Sequence, residues 1–554
     1  MTQRAGFAAL LALVIAVAAA AFVYDLGGKC LENDEFNMHT FATGERDVAL
    51  SFGNSLGYFP ILAAVGRLSD SDPALRSPSV VFALLTVPVL VLLGRRLFGA
   101  ETGLVAGALL AVSPMFVVFA QRAHAYAAFT LVSTASLLCL WTAYHDRRRW
   151  PWIAWAVLVG GNLWLHLYGV FVIGVELLIL GFWMLLDGRL GRPDRAALLR
   201  AAVLALVILV IAAPLIVDWI WPLGRGLAGK LLGAEPEAAG VAKVVRPPVT
   251  VADVGRSLVR VLIWQAPMDG VAVALILFIV AGCGAGLVQR RRATVTCLLW
   301  CLPVLLPIAV FASVTNLTFA PRRLIFLLPI VLLLAGYGLT AVAHVLAGFL
   351  GRVGVTVRPG LAIVAATAIA VAAILARPLA HYYAVQENPD VRTAAGVLDR
   401  AAGSRDFVAA WRPQMIDRYL ADRGPVVNIE SCGRPRKFLR FFKSHARFWY
   451  IRPSGATHLP RFQELEAWLE ANDALLVDLG GGLLASVVHH EDDPGRSGHR
   501  IEVLETLAAM KPERPYVHRQ LAEEYERVGR IDESERALGT ARRIDSSPWL
   551  VRLP

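Results

Sequence analysis

Long apolar runs recur from one end of this chain to the other, and they limit its fold more than any other feature. Runs long enough to cross a hydrocarbon core about 30 Å thick lie at about 6–25, 78–94, 102–120, 125–144, 151–167, 169–186, 200–217, 271–288, 293–314, 323–346 and 360–377. Inside a bilayer every backbone polar group must be satisfied internally, so each run is expected to be a helix. The fold class is therefore an α-helical polytopic membrane protein with eleven candidate spans. A shorter run at 255–268 reads as interfacial. Composition agrees: 56% of the 554 residues are hydrophobic and 18% charged, with a mean hydropathy of +0.57, whereas soluble domains are about a quarter charged. Arg4 before the Ala-rich first run imitates a signal peptide, but the run is long and leads straight into a polar segment, which favours a retained signal-anchor.

The net charge of +11 with a pI near 9.6 would ordinarily suggest nucleic acid. Here lysine is confined to Lys29, Lys230, Lys243, Lys437, Lys443 and Lys511, and most arginines fall in short loops between apolar runs. With the N-terminus inside, the inside loops hold Arg95 and Arg96, Arg147 to Arg149, Arg189 to Arg200, Arg290 to Arg292, and Arg352 with Arg358. This is the positive-inside bias, and it leaves no basis for a nucleic-acid partner. It predicts a multi-pass protein of the inner (plasma) membrane with a cytoplasmic N-terminus. The loops 26–77 and 218–258 and everything after 378 would then face outside. Nucleotide-activated donors are absent there, so any group transfer needs a donor already carried by lipid. Of the six cysteines, Cys139, Cys283, Cys297 and Cys301 lie in apolar runs, and Cys30 and Cys432 fall outside, where a disulfide between them is open.

Directly after the first run comes Cys30-Leu31-Glu32-Asn33-Asp34-Glu35-Phe36. Three carboxylates within four residues at a membrane surface are costly unless solvated or used. Further on stand Asn54-Ser55-Leu56-Gly57-Tyr58-Phe59, the element Gly94 to Gly99, Ala111-Val112-Ser113-Pro114, Gln121-Arg122-Ala123-His124-Ala125-Tyr126, and Asn162 to Gly169 with His166. In this order the segments resemble glycosyltransferase family 39 of the GT-C superfamily, which includes protein O-mannosyltransferases and aminoarabinose transferase-like proteins. The resemblance covers about residues 5–190. It implies a membrane glycosyltransferase whose Asp after the first span is the catalytic base. The chain departs from the family where Asn54 replaces a common His, His124 a common Arg, and Arg122 a carboxylate.

An inverting transfer needs a base for the acceptor hydroxyl, a site for the leaving phosphate and a hold on the lipid. Asp34 is the candidate base, with Glu35 orienting the acceptor or tuning Asp34. Arg322 and Arg323 in Thr318-Phe319-Ala320-Pro321-Arg322-Arg323-Leu324 fall outside against the topological bias, and the planar guanidinium suits phosphate; the plain alternative is a pair of snorkelling anchors. The family places a comparable Arg before a late span. Arg122 is a second phosphate candidate, and His124, Tyr126, Tyr58, Asn54 and His166 complete the candidate substrate-binding set. No His and carboxylate spacing matches a dedicated metal site, so no cofactor is expected, although His124 or His166 could join Asp34 around a divalent ion. Expected partners are a polyprenyl-phosphate sugar donor, a glycan, lipid or protein acceptor, and membrane lipids. A lipid-linked glycan flippase is the alternative, but it calls for polar residues within broken spans.

The tail alternates short apolar strands at 406–411, 425–429, 447–451 and 474–478 with helices at 391–402, 413–422 and 460–471, which reads as an α/β domain over 379–500. Arg434, Arg436, Lys437, Arg440 and Lys443 interleave with Phe438, Phe441 and Phe442 in an amphipathic stretch. The end, 501–554, resembles one tetratricopeptide-like helix pair through Leu521, Ala522, Tyr525, Gly529, Ile531, Leu538 and Ala541. One such unit cannot bury a core alone, so it would pack on the α/β domain or engage a protein partner.

Overall fold

The computed structural model describes residues 2–44, 55–146, 148–188, 205–213, 249–264, 270–315, 319–353, 358–384, 390–403, 406–410, 414–421, 426–428, 447–452, 460–478, 483–488 and 493–545. The chain forms two compact units, Met1–Leu26 with Asn37–Ala380, and Gly27–Phe36 with His381–Pro554.

The first unit is a helical bundle. Among the described residues eight helices are long and apolar enough to cross a membrane: Ala5–Val23, Asp72–Leu97, Tyr126–His145, Gly169–Leu186, Gly270–Gln289, Arg291–Ser313, Pro321–Arg352 and Ala362–Tyr383. They correspond to eight of the eleven expected spans. The run at 102–120 is instead a broken pair, Ala100–Ala111 and Pro114–Ala120, bent by 63°. Pro114, which cannot continue a helix begun before it, supplies the reason. The run at 151–167 forms a 16-residue helix, Trp150–Leu165. Of 200–217 only 205–213 is described, and it is helical. The run at 255–268 forms Val251–Ile263, with Ser257, Val261, Leu262 and Ile263 buried.

In chain order we label Thr2–Val23 α1, Asn33–Ala42 α2, Phe59–Leu68 α3, Asp72–Leu97 α4, Ala100–Ala111 α5, Pro114–Ala120 α6, Tyr126–His145 α7, Trp150–Leu165 α8 and Gly169–Leu186 α9. Glycines let the central helices touch. A Cβ built on Gly282 would collide with the Leu334 carbonyl oxygen, and one on Gly338 with that of Phe278. Helices Gly270–Gln289 and Leu328–Arg352 are thus in backbone contact, as small residues permit in membranes. Polar groups inside the bundle are paired. Glu176, wholly buried in α9, accepts from Ser136 Oγ of α7 and Trp155 Nε1 of α8, both at 2.6 Å.

The bundle's two ends differ in chemistry. At one, Arg96 meets Asp146 at 2.7 Å, Arg292 pairs with Asp187, Tyr144 donates to Asp187 at 2.8 Å, and Arg95 lies over the Phe7 ring near the start of α1. These arginines are among those assigned to inside loops. The opposite end gathers the start of α7, the end of α8 and the residues before Leu328.

The second unit is built on a five-stranded sheet of order β2-β1-β3-β5-β4, where β1 is Phe407–Ala410, β2 Val427–Asn428, β3 Arg447–Arg452, β4 Leu475–Asp478 and β5 Leu483–Val488. β1 runs parallel to β2 and β3, and β5 antiparallel to β3 and β4. Four strands match the sequence expectation. β5 was not foreseen, because its Ala485 and Ser486 interrupt the apolar pattern on which strand reading depends. In β3, Phe448 and Tyr450 face helix Pro460–Ala471, while Trp449 and Ile451 face Val391–Ala401 and Asp493–Met510. Successive residues point to opposite faces, so both faces of the sheet are covered. The final pair, Pro515–Arg527 and Ile531–Asp545, buries Val517, Leu521, Ala522, Tyr525 and Ala537 in that second cluster. Helix Asp493–Met510 runs unbroken through residues 500 and 501. The stretch Arg434 to Lys443 and Cys432 lie outside the described residues.

His499 is buried against the Trp449 ring and bonded through Nε2 to Ser486 Oγ at 2.5 Å. Desolvation, with Arg447 and Arg500 nearby outweighing Asp406, pushes its pKa down to about 4. Above about pH 6.5 both folded and unfolded chains hold it neutral. As pH falls from there towards 4, the unfolded chain takes a proton that the fold refuses, and stability is lost. The loss should reach about 2 kcal/mol by pH 5. Thermal unfolding of this unit in the intact protein at pH 7.5 and 5 measures it, and His499→Gln should flatten the dependence. In the bundle, Gly282→Ala must push the touching backbones apart at a cost of about 1–3 kcal/mol, read as a lower melting temperature in detergent.

Candidate active site

The segment that opens the site in the bundle starts where α1 ends. The last carbonyls of a helix have no partner of their own. Gln121 Nε2 supplies one, donating to the carbonyls of Tyr24 at 2.7 Å, Phe22 at 3.2 Å and Ala21 at 3.3 Å. Asp25 then takes a left-handed φ of 55°, and Arg76 Nη1 donates to the Leu26 carbonyl at 2.8 Å. Gln121 was noted only as part of a motif. Its role as a cap depends on a fold that brings residues a hundred apart together.

The residues that follow Gln121 form a compact non-helical turn between α6 and α7, with His124 N–H donating to the Arg122 carbonyl at 2.7 Å. Arg122 is buried, its guanidinium 5.3 Å from the Phe119 ring centre and 5.8 Å from that of Trp264. Aromatic faces hold a guanidinium by charge–quadrupole attraction. Trp264 takes φ +56°, uncommon for a bulky residue, and packs edge-on against Phe119 at 5.2 Å. Sequence reading missed Trp264, because nothing in its local pattern marks it.

His124 stacks on Tyr126 with centroids 4.2 Å apart, and Tyr126 lies 5.5 Å from His166. His166 ends α8, with its ring between Phe129 at 5.0 Å and Tyr168 at 5.0 Å. The charges that bear on His166 are those of His124, Arg323 and Arg322. Both arginines sit in the first turn of a 3-10 helix, Pro321–Leu327, whose Leu324 to Leu327 are buried and whose Phe326 packs on Phe129 at 5.4 Å. Pro321 fixes the start of that turn, so the guanidiniums leave from a rigid base. Tyr58 is fully buried; its hydroxyl bonds Ser79 Oγ at 2.7 Å, and Ser79 Oγ donates to the His124 carbonyl at 3.1 Å. Tyr58 thus fixes the His124 turn, and Ser79 is the connecting residue that sequence reading missed. Asn54 lies outside the described residues.

Arg122, His124, Tyr126, His166, Arg322 and Arg323 therefore converge at one end of the bundle. Three permanent cations, two imidazoles and an aromatic floor can bind a phosphate at a membrane boundary. Among the described residues no group of three or more His, Cys, Asp and Glu could hold a metal ion.

The acidic residues belong to the second unit and are fixed there. Glu32 N–H donates to Glu35 Oε2 at 2.8 Å, and Phe36 N–H to the Glu32 carbonyl at 2.9 Å. Glu35, buried at the third position of α2, caps its own helix in the manner of half a capping box. Asp34 stands one position earlier and is half-buried. Cys30 is buried as a thiol, 3.8 Å from Asp390 Oδ1.

Residues 56–221 match the family model described as dolichyl-phosphate-mannose-protein mannosyltransferase. The match spans the Tyr58, Arg122 to Tyr126 and His166 elements and begins after the acidic pair. No curated protein sequence matches the chain. Among solved structures, ArnT from Cupriavidus metallidurans in the apo state superposes with a TM-score of 0.52 at 14% identity, covering 86% of this chain and 97% of that one. The same protein bound to undecaprenyl phosphate gives a TM-score of 0.52 at 14% identity, covering 87% and 98%. The chain has the fold of those proteins, and residues 56–221, at the centre of its bundle, carry the pattern of the matching family.

Proposed function

We propose that the chain is a GT-C glycosyltransferase that takes a sugar from a polyprenyl-phosphate carrier on the non-cytoplasmic face and passes it, with inversion, to an acceptor hydroxyl. The observation that carries this is the convergence of Arg122, Arg322 and Arg323 with His124 and His166 at the bundle end opposite the paired basic loops. By the positive-inside bias those loops are cytoplasmic, so the cation cluster faces the other compartment, in the inner (plasma) membrane. Clustered guanidiniums suit a phosphate, and the phosphate of a lipid carrier is the anion the membrane itself delivers. The undecaprenyl phosphate bound by ArnT and the dolichyl-phosphate donor of the matching family support this chemistry.

In the reaction the acceptor oxygen attacks the anomeric carbon while the bond from that carbon to the phosphate oxygen breaks. The acceptor's proton passes to Asp34, and the electron pair leaves on the polyprenyl phosphate, whose added charge Arg322 and Arg323 take up. Glu35 keeps α2 closed at its first turn and so fixes the residue beside it. Catalysis falls to residues 1–378, with 379–500 and the helical tail 501–554 as accessory regions.

A strain lacking the protein should lose one glycoconjugate and accumulate one lipid-linked sugar, which names acceptor and donor. Asp34→Asn should restore neither, with transfer reduced about 10²–10⁴-fold in protein that still inserts and melts as the native chain does. Undiminished transfer by that variant would sink the assignment of the base. Arg322→Ala and Arg323→Ala should each lower kcat/KM for the lipid donor by about 10–100-fold, the worth of a charge-assisted hydrogen bond. Because the arginines supply the positive charge, transfer should proceed in EDTA at the untreated rate; abolition by chelation and recovery with a divalent ion would oppose this.

A further inference from the structure

The second unit holds the residues just before Asp34 by a chain of contacts that the transfer chemistry does not itself require. Asp390 is 3% exposed and lies at its centre. It caps helix Val391–Ala401 by accepting from Thr393 N–H at 3.1 Å, and its Oδ1 faces the Cys30 thiol at 3.8 Å. Its other oxygen meets Lys511 Nζ at 3.1 Å and Arg514 Nη2 at 3.5 Å. Lys511 and Arg514 lie between the last helices of the chain. Arg392 N–H points at Cys30 Sγ at 3.4 Å, and its guanidinium donates to the Gly27 carbonyl at 3.0 Å while lying 5.4 Å from the Tyr419 ring. The Tyr419 hydroxyl accepts from Leu31 N–H at 3.1 Å, and Lys29 Nζ donates to the Tyr382 carbonyl at 2.6 Å over that residue's ring.

Gly27, Lys29, Cys30 and Leu31 are thus each gripped by a residue from beyond position 381, just ahead of the Asp34 helix. A surface loop needs none of this, and a buried carboxylate held by two cations is a costly way to anchor one. We propose that Asp390, Arg392, Tyr419, Lys511 and Arg514 are positioning residues for Asp34: the C-terminal domain and its last helices fix the entry to α2, and with it the base. The proposal rests on the role given to Asp34 above. A base set within hydrogen-bond reach loses rate steeply when it drifts, so loosening this grip should slow the chemistry and spare donor binding.

Cys30 reports the grip directly. In the full-length protein in detergent, a charged maleimide should modify Cys30 slowly, followed by mass spectrometry of its peptide. Lys511→Ala with Arg514→Ala, and separately Tyr419→Phe, should speed that modification and lower kcat about five- to tenfold, with KM for the polyprenyl donor unchanged. Asp390→Asn is the variant that keeps the helix cap, since Asn caps as well as Asp, and it should behave like the pair. Asp34→Asn should lower transfer by about 10²–10⁴-fold and leave Cys30 modification at the native rate. Unchanged modification in all the variants would mean these contacts do not hold the segment, and faster modification with native kcat would mean that holding it does not matter; either overturns the proposal. Should Asp34→Asn itself stay active, the role of the base falls instead, while Cys30 modification still decides whether the segment is held.

Discussion

A bilayer offers no water to a backbone carbonyl, and this constraint arranges the first unit. Every crossing segment must be a helix, and the unsatisfied groups of each helix collect at its ends. Chemistry is confined to those ends as a result. At the end of α1 the burden falls on Gln121, whose single amide serves three carbonyls. The residue after it is Arg122, and the turn that follows carries His124 to the start of α7. One side chain therefore closes a helix and sets the origin of the turn on which Arg122 and His124 stand. The break between α5 and α6 serves the same end, since the 63° bend brings Gln121 to its position.

The second unit solves a different problem. Its sheet is covered on both faces, so all of its strands but β5 read as short apolar runs, and its final helix pair buries one side in the same cluster. That packing leaves the residues between the last helices, Lys511 and Arg514, directed at Asp390. Burial raises the proton affinity of Asp390 and the Lys511 charge with the Thr393 bonds lowers it; the net pull is downward, so the carboxylate stays ionised. An ionised, buried carboxylate between two cations and a thiol is a rigid hub, because each partner would be left exposed to a desolvated charge if it moved.

Much of this was legible in the residues. Hydropathy located the spans, since about twenty apolar residues in a row leave little choice, and the family match covers the stretch that holds Tyr58 and the Arg122 to His166 elements. The arginines at 322 and 323 stood out because they violated the charge bias, and they do lie with His166. What could not be read is long-range. Gln121 as a cap, Ser79 between Tyr58 and His124, and Trp264 beneath Arg122 all depend on contacts between residues far apart in the chain. Periodicity and spacing carry no trace of these. β5 was lost for a local reason, since its small residues break the apolar run even though it is central to the sheet.

The acidic pair shows why adjacency in sequence is a weak guide to role. Successive helical residues leave the axis about 100° apart, so Asp34 and Glu35 cannot face the same partner. Glu35 turns back to the Glu32 amide and is consumed in closing its own helix. That closure confines the backbone of the first turn, and Asp34 is the carboxylate whose direction it sets. A pair that looks like duplicated chemistry is thus an anchor and, on the proposed reading, an acting group, and burial of the anchor fixes the first turn of α2. The same logic extends backwards along the chain, where Cys30 and Leu31 are held by side chains and Gly27 by its carbonyl. Position here is built from successive short restraints, each too weak to order a loop alone, applied at Gly27, Lys29, Cys30, Leu31 and Glu32 ahead of Asp34.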